Sequence, residues 1–315
     1  MSQVYSPLNI DNLLISSSIE DKKTVHECFL DHHVLNMVED NTYSGNSPHD
    51  ILAFIGKDLP ARIKKINEEL DNLRLYKFID IRSLSYMLQD SRLYLDRVTD
   101  AWEDPYENYF LKENLRLEDG TKVSADNNLP GVFGQSWTFR EETDAMWRIY
   151  SQDDVDANGK HKRNFHGVRI ETTARKLLNV IYVDDDSMAD TWIGKVLYLE
   201  LDEINKRLQG TTQSVRDDLG KSLFIKRQEF DHESEFRVMK LMDSSTIAQT
   251  ENYKRIAFAI PSIADFIDSY TLDPRLSPAD YAIIKNDLIN MGAEPAMISQ
   301  SILYHFDPVE VTIDF

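Results

Sequence analysis

The stretch Phe230-Asp231-His232-Glu233-Ser234-Glu235-Phe236-Arg237-Val238-Met239 carries the strongest structural signal in this chain. Alternate residues of a β-strand point to the same face of a sheet. A strand here would place Glu233, Glu235 and Arg237 on one face, and apolar side chains such as Phe236 on the other face, towards a core. Two carboxylates and a guanidinium on one face form a candidate catalytic or sugar-binding group. A solvated strand face with cross-strand ion pairs is the alternative interpretation.

The sequence around this stretch mixes short strand patterns irregularly with helix patterns. Strand patterns occur at 75–79, 92–95, 132–138, 167–171, 196–201, 230–239 and 254–260. Helix patterns occur at 83–88, 143–150, 171–178, 217–227 and 277–290. Irregular mixing is typical of α+β proteins, whereas regular alternation predicts a parallel sheet. We therefore predict an α+β fold with a mixed or antiparallel central sheet and flanking helices.

The first 74 residues have a different character from the rest. Apolar residues recur there at three- and four-residue spacing, at 21–38 and at 51–73, which predicts amphipathic helices. The sequence predicts a helical N-terminal extension at 1–74 and an α+β core domain at 75–315. We expect the extension to be separable from the chemistry and to have a regulatory or partner-binding role.

Composition limits the class of protein and its partners. The chain has 315 residues, 42% of them hydrophobic, which is enough for a large buried core. Its formal net charge of −19 repels polyanions, so nucleic acid is expected only as a substrate. An acidic surface suits a neutralising or regulatory protein partner with a basic face. We expect no membrane association and a cytoplasmic location, because the sequence has neither a long apolar run nor a secretory signal.

Several functional classes are excluded by missing motifs. The single cysteine, Cys28, excludes an internal disulfide and a cysteine-based zinc site. The histidines show no metal-ligand spacing, and we predict no bound metal. The sequence has no phosphate-binding P-loop, no Gly-x-Gly-x-x-Gly dinucleotide motif and no His-Glu-x-x-His motif. Kinase, P-loop ATPase and standard Rossmann dehydrogenase functions are therefore not expected.

Five short motifs follow one another in a characteristic order. They are Leu75-Tyr76-Lys77-Phe78, Trp102-Glu103-Asp104-Pro105-Tyr106-Glu107, Met146 to Tyr150, Gly167-Val168-Arg169-Ile170, and Lys226 followed by Glu233 to Arg237. This order resembles a large bacterial family catalogued as a domain of unknown function. The resemblance covers residue 75 to the C-terminus. The chain departs from the family pattern at Trp102-Glu103, where an aromatic-Asn pair is usual, and at Phe78, where a tyrosine is usual.

The order of polar residues also resembles the arginine–serine–glutamate layout of ADP-ribosyltransferases. The resemblance implies NAD as the substrate, with Glu235 and Glu233 as the catalytic residues. It implies six candidates for binding NAD, namely Lys77, Arg82, Ser136, Thr138, Trp147 and Tyr150. A carboxylate near the ribose would stabilise the oxocarbenium-like state that forms when the nicotinamide bond breaks. The other glutamate would orient or deprotonate the acceptor.

Two of these candidates have an equally simple structural role. Trp147 and Tyr150 are three residues apart on a predicted helix, so they would share one face of it. That face would either pack into the core or stack on the base or nicotinamide of NAD.

The function implied by the resemblance is an NAD-consuming transferase, a bacterial toxin or phage-defence effector that modifies nucleic acid or protein. Convergence of Lys77, Ser136 and Glu235 on one cleft would favour it. A non-catalytic binding or sensor module is the first alternative, and a sheet face packed shut would favour that role. A metal-dependent nuclease is the second alternative, and its four carboxylates are Asp104, Glu107, Glu233 and Glu235.

Overall fold

The chain folds into two compact units. The structure is a computed structural model that describes residues 14–16, 71–102, 104, 106–107, 115–116, 120–123, 131–151, 154–155, 161–162, 167–181, 190–208, 222–242, 254–308, 310 and 312. Unit 1 comprises Met1–Leu75, Arg92–Phe139 and Thr173–Pro261, and unit 2 comprises Tyr76–Ser91, Arg140–Thr172 and Ser262–Phe315. Apart from residues 71–73, the two predicted N-terminal helices lie outside the described residues. The division of the chain at residue 74 therefore stays a prediction.

Unit 1 is built on an antiparallel sheet. Strands are numbered in chain order through both units. Those of this sheet are β1 (Leu14–Ser16), β3 (Arg92–Arg97), β6 (Gly131–Thr138), β10 (Asp190–Lys195), β13 (Glu235–Met242) and β14 (Arg255–Ala259). The order across the sheet is β1-β10-β13-β6-β3-β14, and every neighbouring pair is antiparallel. Strand β13 is hydrogen-bonded on both edges, which fixes the backbone that carries the Glu235 and Arg237 side chains.

Shorter elements complete the described part of unit 1. They are the parallel pair β11 (Leu197–Leu199) and β12 (Ile225–Arg227), the antiparallel pair β4 (Leu115–Arg116) and β5 (Lys122–Val123), helices α2 (Val98–Ala101), α4 (Ala174–Ile181) and α5 (Leu201–Leu208), and a 3₁₀ helix at Gln228–Glu233. Two sequence predictions are wrong here. Residues 225–227, predicted as the end of a helix, form β12, and residues 230–233, predicted as the start of a strand, belong to the 3₁₀ helix.

Unit 2 contains a second set of neighbouring strands. They are β2 (Arg74–Asp80, whose first two residues belong to unit 1), β9 (Gly167–Thr173, whose last residue belongs to unit 1), β15 (Ser269–Leu272) and β16 (Ile298–Gln300), in that order. Strands β9 and β15 are antiparallel, and β15 and β16 are parallel. A separate antiparallel hairpin joins β7 (Asp154–Val155) and β8 (His161–Lys162). Antiparallel pairs outnumber parallel pairs in both units, and helices accompany the strands, so the predicted α+β fold is confirmed.

Local capping explains why three of the four described unit 2 helices, α1, α3 and α7, were predictable. The helices are α1 (Ile81–Asp90), α3 (Asp144–Tyr150), α6 (Ile263–Phe266) and α7 (Pro278–Asn290), followed by a 3₁₀ turn at Pro295–Met297. The side chains of Asp80, Thr143 and Ser277 each accept a hydrogen bond from a backbone amide in the first turn of their helix. Pro278 occupies the first turn of α7, where a missing amide hydrogen costs nothing. In the described part of the chain, no helix has both the length and the apolar character needed to cross a bilayer.

Trp147 forms the centre of the unit 2 core. Its side chain is 0% exposed and packs edge-on against Phe78, with ring centroids 4.9 Å apart. Its indole nitrogen donates a hydrogen bond to Glu142 at 2.6 Å. Tyr150 stacks on the same phenylalanine at 6.2 Å but is 39% exposed. The burial of Trp147 favours the packing role over the stacking role for that residue.

We expect Trp147→Ala to lower the free energy of unfolding by about 3 to 5 kcal/mol, because it removes a fully buried indole from a packed cluster. Chemical denaturation measures the change. Tyr150→Ala is the matched control on the same helix and should cost roughly half of that or less, since its ring is partly exposed. Equal costs for the two variants would contradict this description of the core.

Candidate functional site

Glu235, the first residue of β13, lies at the centre of a buried polar cluster in unit 1. Its Oε1 accepts a hydrogen bond from Lys226 Nζ at 2.7 Å. Its Oε2 accepts one from Arg237 Nε and one from Ser136 Oγ, both at 2.7 Å. The residue is only 5% exposed. The contact between Glu235 and Arg237 confirms that these two residues share one face of the strand.

Glu107 closes the cluster into a ring of alternating charges. Its Oε1 lies 2.9 Å from Lys226 Nζ and 2.8 Å from Arg237 Nη2. Each of the two cations therefore contacts both Glu107 and Glu235. We call these four residues, Glu107, Lys226, Glu235 and Arg237, the charge ring. Two carboxylates balance two cations, so the ring as a whole is neutral when all four groups are ionised.

Glu233 lies beside the charge ring, where it accepts a hydrogen bond from Lys226 and also reaches the Glu235 carboxylate. Its Oε2 is 2.5 Å from Lys226 Nζ, and its side chain is 23% exposed. The residue ends the 3₁₀ helix and is not on the strand as predicted. The physical reason is Ser234, which adopts a left-handed backbone conformation with φ of 47° and breaks the pleat between the two glutamates. Thr138 Oγ1 donates to the backbone carbonyl of Glu233 at 2.7 Å and holds this turn against β6.

The two glutamates have very different acidities. Burial raises the pKa of Glu233 to about 7, the nearby Glu235 carboxylate adds to the rise, and the Lys226 ammonium opposes it. Burial also disfavours ionisation of Glu235, but the Arg237 guanidinium outweighs that effect and holds its pKa well below the usual range. Adjacent carboxylates with opposite pKa shifts are the usual signature of divided acid–base roles. Glu235 is a permanent anion, and Glu233 can exchange a proton near neutral pH.

Lys226 and Tyr198 both keep their protons at neutral pH, so Lys226 is a cation and Tyr198 is neutral. Burial alone would lower the pKa of Lys226, but Glu235 and Glu107 raise it above its ordinary value. Burial raises the pKa of the Tyr198 phenol, and Glu235 raises it further. The Tyr198 oxygen accepts a hydrogen bond from the backbone amide of Glu235 at 2.8 Å. The phenol thus orients the start of β13 as a neutral group.

Aromatic rings cover the cations of the cluster. The Arg237 guanidinium lies 3.9 Å from the centroid of the Trp102 ring, and Lys226 Nζ lies 4.6 Å from that of Phe230. Arg237 Nη1 also donates to the carbonyl of Leu223 at 2.6 Å. Rings that face cations in this way add a favourable electrostatic contact while excluding water. They explain how two positive charges remain in the interior of unit 1.

Asp104 and Arg227 form a second ion pair next to the cluster. Asp104 Oδ1 accepts a hydrogen bond from the amide of Tyr106, and its Oδ2 accepts one from Arg227 Nε at 3.0 Å. Arg227 also lies over the rings of Tyr106 and Phe230. Asp104 therefore caps its own turn and also anchors that turn to β12, which positions Glu107 three residues later.

The predicted site residues fall into both units. Ser136 and Thr138 contact the glutamate segment as described, and they hold Glu235 and Glu233 in place. Lys77 is half-buried on β2 and Arg82 is exposed on α1, both in unit 2 with Trp147 and Tyr150. Ser136 and Glu235 meet as expected. The convergence of Lys77 with these two residues stays a prediction.

Sequence reasoning missed three groups of the cluster, namely Lys226, Glu107 and Tyr198. The sequence already groups Arg237 with the two glutamates, and Lys226 is the second cation around Glu235. Both belong to motifs of the family resemblance, so the signal was available in the sequence. Glu107 also belongs to such a motif, although only the nuclease hypothesis used it. Nothing in the sequence singles out Tyr198.

The carboxylates named by the nuclease hypothesis do not form a metal site. Glu107, Glu233 and Glu235 converge, but they converge on the Lys226 ammonium, which takes the position between them that a divalent ion would need. Asp104 instead pairs with Arg227. Among the described residues, no group of three or more His, Cys, Asp or Glu side chains is arranged to hold a metal ion.

Comparison with known proteins gives two distant structural neighbours. No family model matches the chain, and no curated protein matches it. The structure of Thermus sp. 2.9 DarT in complex with NAD+ aligns with a TM-score of 0.29 and 9% identity, over 74% of this chain and 98% of that chain. The same protein in complex with ADP-ribosylated ssDNA aligns with a TM-score of 0.31 and 8% identity, over 74% and 96%. These TM-scores lie below the level that indicates a shared fold, so they carry no argument about this chain.

We expect Arg237→Lys to lower the free energy of unfolding by about 3 kcal/mol. Lysine keeps the charge but loses the planar fork that bonds Glu235, Glu107 and a backbone carbonyl together. Thermal and urea unfolding measure the loss. Arg255→Lys is the control, because Arg255 pairs with Asp96 on the exposed surface and its change should cost about 0.5 kcal/mol or less. A near-neutral Arg237→Lys would show that the charge ring contributes little to the fold.

Proposed function

We propose that the buried cluster of unit 1 is the active site of an NAD-dependent ADP-ribosyltransferase-like enzyme. One observation carries the proposal. Two glutamates that are two residues apart share the Lys226 ammonium, yet one is held as an anion and the other titrates near neutral pH. A transferase of this kind needs both groups, one to stabilise positive charge and one to move a proton.

Glu235 is the group that stabilises the sugar in this proposal. Cleavage of the nicotinamide–ribose bond builds positive charge on the ribose, and a fixed carboxylate beside it lowers the barrier. A carboxylate has about four lone-pair positions, and Glu235 uses three of them for Lys226, Arg237 and Ser136. The Glu233 carboxyl also reaches Glu235, so in this proposal a ribose hydroxyl takes the fourth position in place of that contact. The three donors prevent the side chain from turning away.

Glu233 is the group that activates the acceptor. Its side chain is more exposed than that of Glu235, so a nucleophile from solution can reach it. The ionised carboxylate takes the proton of the acceptor as the nucleophile attacks the ribose carbon, and nicotinamide leaves with the electrons of the broken bond. A base with a pKa near the working pH is well matched to this step.

The binding of the dinucleotide is assigned to the residues that the ADP-ribosyltransferase resemblance implies. We assign the diphosphate to Lys77 or Arg82, and of these Arg82 has the bidentate fork that suits a phosphate. Tyr150, with a partly exposed ring, is the better stacking residue for the base or nicotinamide, since Trp147 is fully buried. Membership of the bacterial domain-of-unknown-function family belongs to the same proposal.

The biological role that fits this chemistry is a cytoplasmic toxin or phage-defence effector that modifies nucleic acid or protein. A regulatory or neutralising protein partner would restrain such an activity. Its basic face would complement the formal charge of −19 on this chain.

Glu235→Gln tests the catalytic assignment. Glutamine keeps the size and accepts hydrogen bonds but lacks the charge, so we expect NAD-dependent turnover to fall by about 10²-fold or more with the fold intact. Nicotinamide release from NAD, together with transfer of label from NAD to single-stranded DNA and to protein in a lysate, measures the activity. Glu229→Gln, an exposed carboxylate on the adjacent 3₁₀ helix, is the matched control and should leave the rate unchanged.

Unchanged activity in a well-folded Glu235→Gln protein would remove Glu235 from the mechanism. Absence of nicotinamide release from the wild-type protein, with every acceptor and without one, would favour the non-catalytic binding or sensor module instead.

The pH dependence of turnover tests the role of Glu233. The base acts only when ionised, and its raised pKa means that ionisation is completed above about 7. We therefore expect kcat/KM to fall about tenfold per pH unit below that value and to level off above it. Glu233→Gln should remove this acid limb along with most of the activity. An acid limb that persists in the variant would assign it to another group.

A further inference from the structure

Glu107 is the one member of the charge ring that comes from a segment far from both glutamates. Its contact with Arg237 joins residues 130 positions apart in the sequence. The side chain is 4% exposed, and all of its described contacts with the cluster go to the two cations. No contact with the side chain of Glu233 or Glu235 is among them, so its position gives it no direct part in bond making.

The geometry nevertheless couples Glu107 to Glu233 through Lys226. The Lys226 ammonium has three hydrogens, and its three carboxylate contacts are Glu107, Glu233 and Glu235. Its contacts with Glu233 and Glu235 are hydrogen bonds, and its contact with Glu107 is an ion pair at 2.9 Å. Because Glu107 and Glu233 contact the same ammonium, the negative charge of Glu107 partly offsets the stabilisation that Lys226 gives to ionised Glu233.

We propose that Glu107 is a positioning residue of the proposed reaction, which acts through Lys226 and Arg237 to keep Glu233 available for proton exchange. The inference rests on the proposed function for its catalytic meaning. The structural part, that Glu107 controls the protonation of Glu233, is independent of which reaction the site performs.

All charged and titratable groups around Glu233 enter this inference. Lys226 faces it from β12, Glu235 and Arg237 from β13, and Tyr198 from β11. On its own 3₁₀ helix, the side chains of Glu229, Asp231 and His232 are exposed to solvent. Solvent screens exposed charges, so the buried ring dominates the environment of Glu233.

The sign of each change follows from the charges of the ring. Glu107→Gln leaves the ring with one more cation than anion, which stabilises ionised Glu233 and shifts its titration to lower pH. Lys226→Gln leaves one more anion than cation, and the titration shifts to higher pH. A merely structural role for Glu107 predicts no opposed pair of shifts.

The test is a direct titration of Glu233 in protein that carries ¹³C at the glutamate side-chain carboxyl carbon. The NMR signal is assigned by its loss in Glu233→Gln. We expect Glu107→Gln to move the midpoint down by about one pH unit and Lys226→Gln to move it up by a similar amount.

Glu107→Asp keeps the charge and should stay close to wild type. Glu229→Gln is the control for loss of a nearby exposed carboxylate and should not move the midpoint. Circular dichroism confirms that each variant is folded.

The acid limb of kcat/KM for nicotinamide release supplies a second readout in the same variants, and it should move with the titration. An unmoved Glu233 midpoint in folded Glu107→Gln overturns the inference, and if that variant does not fold, an unmoved or lowered midpoint in Lys226→Gln does the same. Opposed midpoint shifts in a protein that never releases nicotinamide would support the coupling and overturn the proposed function. Turnover whose acid limb stays at the same pH in Glu107→Gln would support the proposed function and overturn the coupling.

Discussion

The contact of one ammonium group with three carboxylates is the interaction on which the described site depends. Lys226 comes from a three-residue strand, and Glu107, Glu233 and Glu235 come from a turn, a 3₁₀ helix and a long strand. A carboxylate buried without a cation would cost several kcal/mol and would be expected to take up a proton. Lys226 and Arg237 remove that cost for two of the three acids. The third, Glu233, shares Lys226 with the other two acids, and burial together with the neighbouring Glu235 carboxylate raises its pKa.

The chain uses backbone geometry to bring the two glutamates of Glu-x-Glu to one ammonium. On a regular strand, residues two apart are separated by roughly 7 Å along the strand, so two glutamates at this spacing must lean towards each other to contact one nitrogen. The left-handed conformation at Ser234 replaces that spacing with a turn. A left-handed L-residue costs about 1 to 2 kcal/mol, so the surrounding contacts must hold it. The bond from Thr138 to the carbonyl of Glu233 and the bond from the Phe139 amide to the Ser234 carbonyl do so.

Local signals in the sequence predicted much of the fold and part of the site. Capping residues marked helices α1, α3 and α7, and apolar alternation marked β6 and β13, because both effects operate within a few neighbouring residues. The turn at Ser234 was missed because serine gives no sign of a left-handed backbone. The contact of Glu107 with Arg237 was missed for another reason, since these residues are 130 positions apart and periodicity carries no information over such a distance. Only the order of family motifs pointed to Glu107 and Lys226 together.

Because the charge ring is neutral, a dinucleotide site built on it would stabilise the ribose with one set of residues and bind the diphosphate with another. Its cations are fully engaged by glutamates, so the ring offers no net attraction to a diphosphate, and the chain as a whole carries a charge of −19 that repels it. Under the proposed function, the cation that binds the diphosphate must therefore lie outside the ring. Arg82 meets that requirement best among the predicted residues, because it is exposed and its guanidinium cannot lose its proton at neutral pH. The ring would then control where positive charge develops on the ribose, and a separate arginine would decide whether the dinucleotide binds at all.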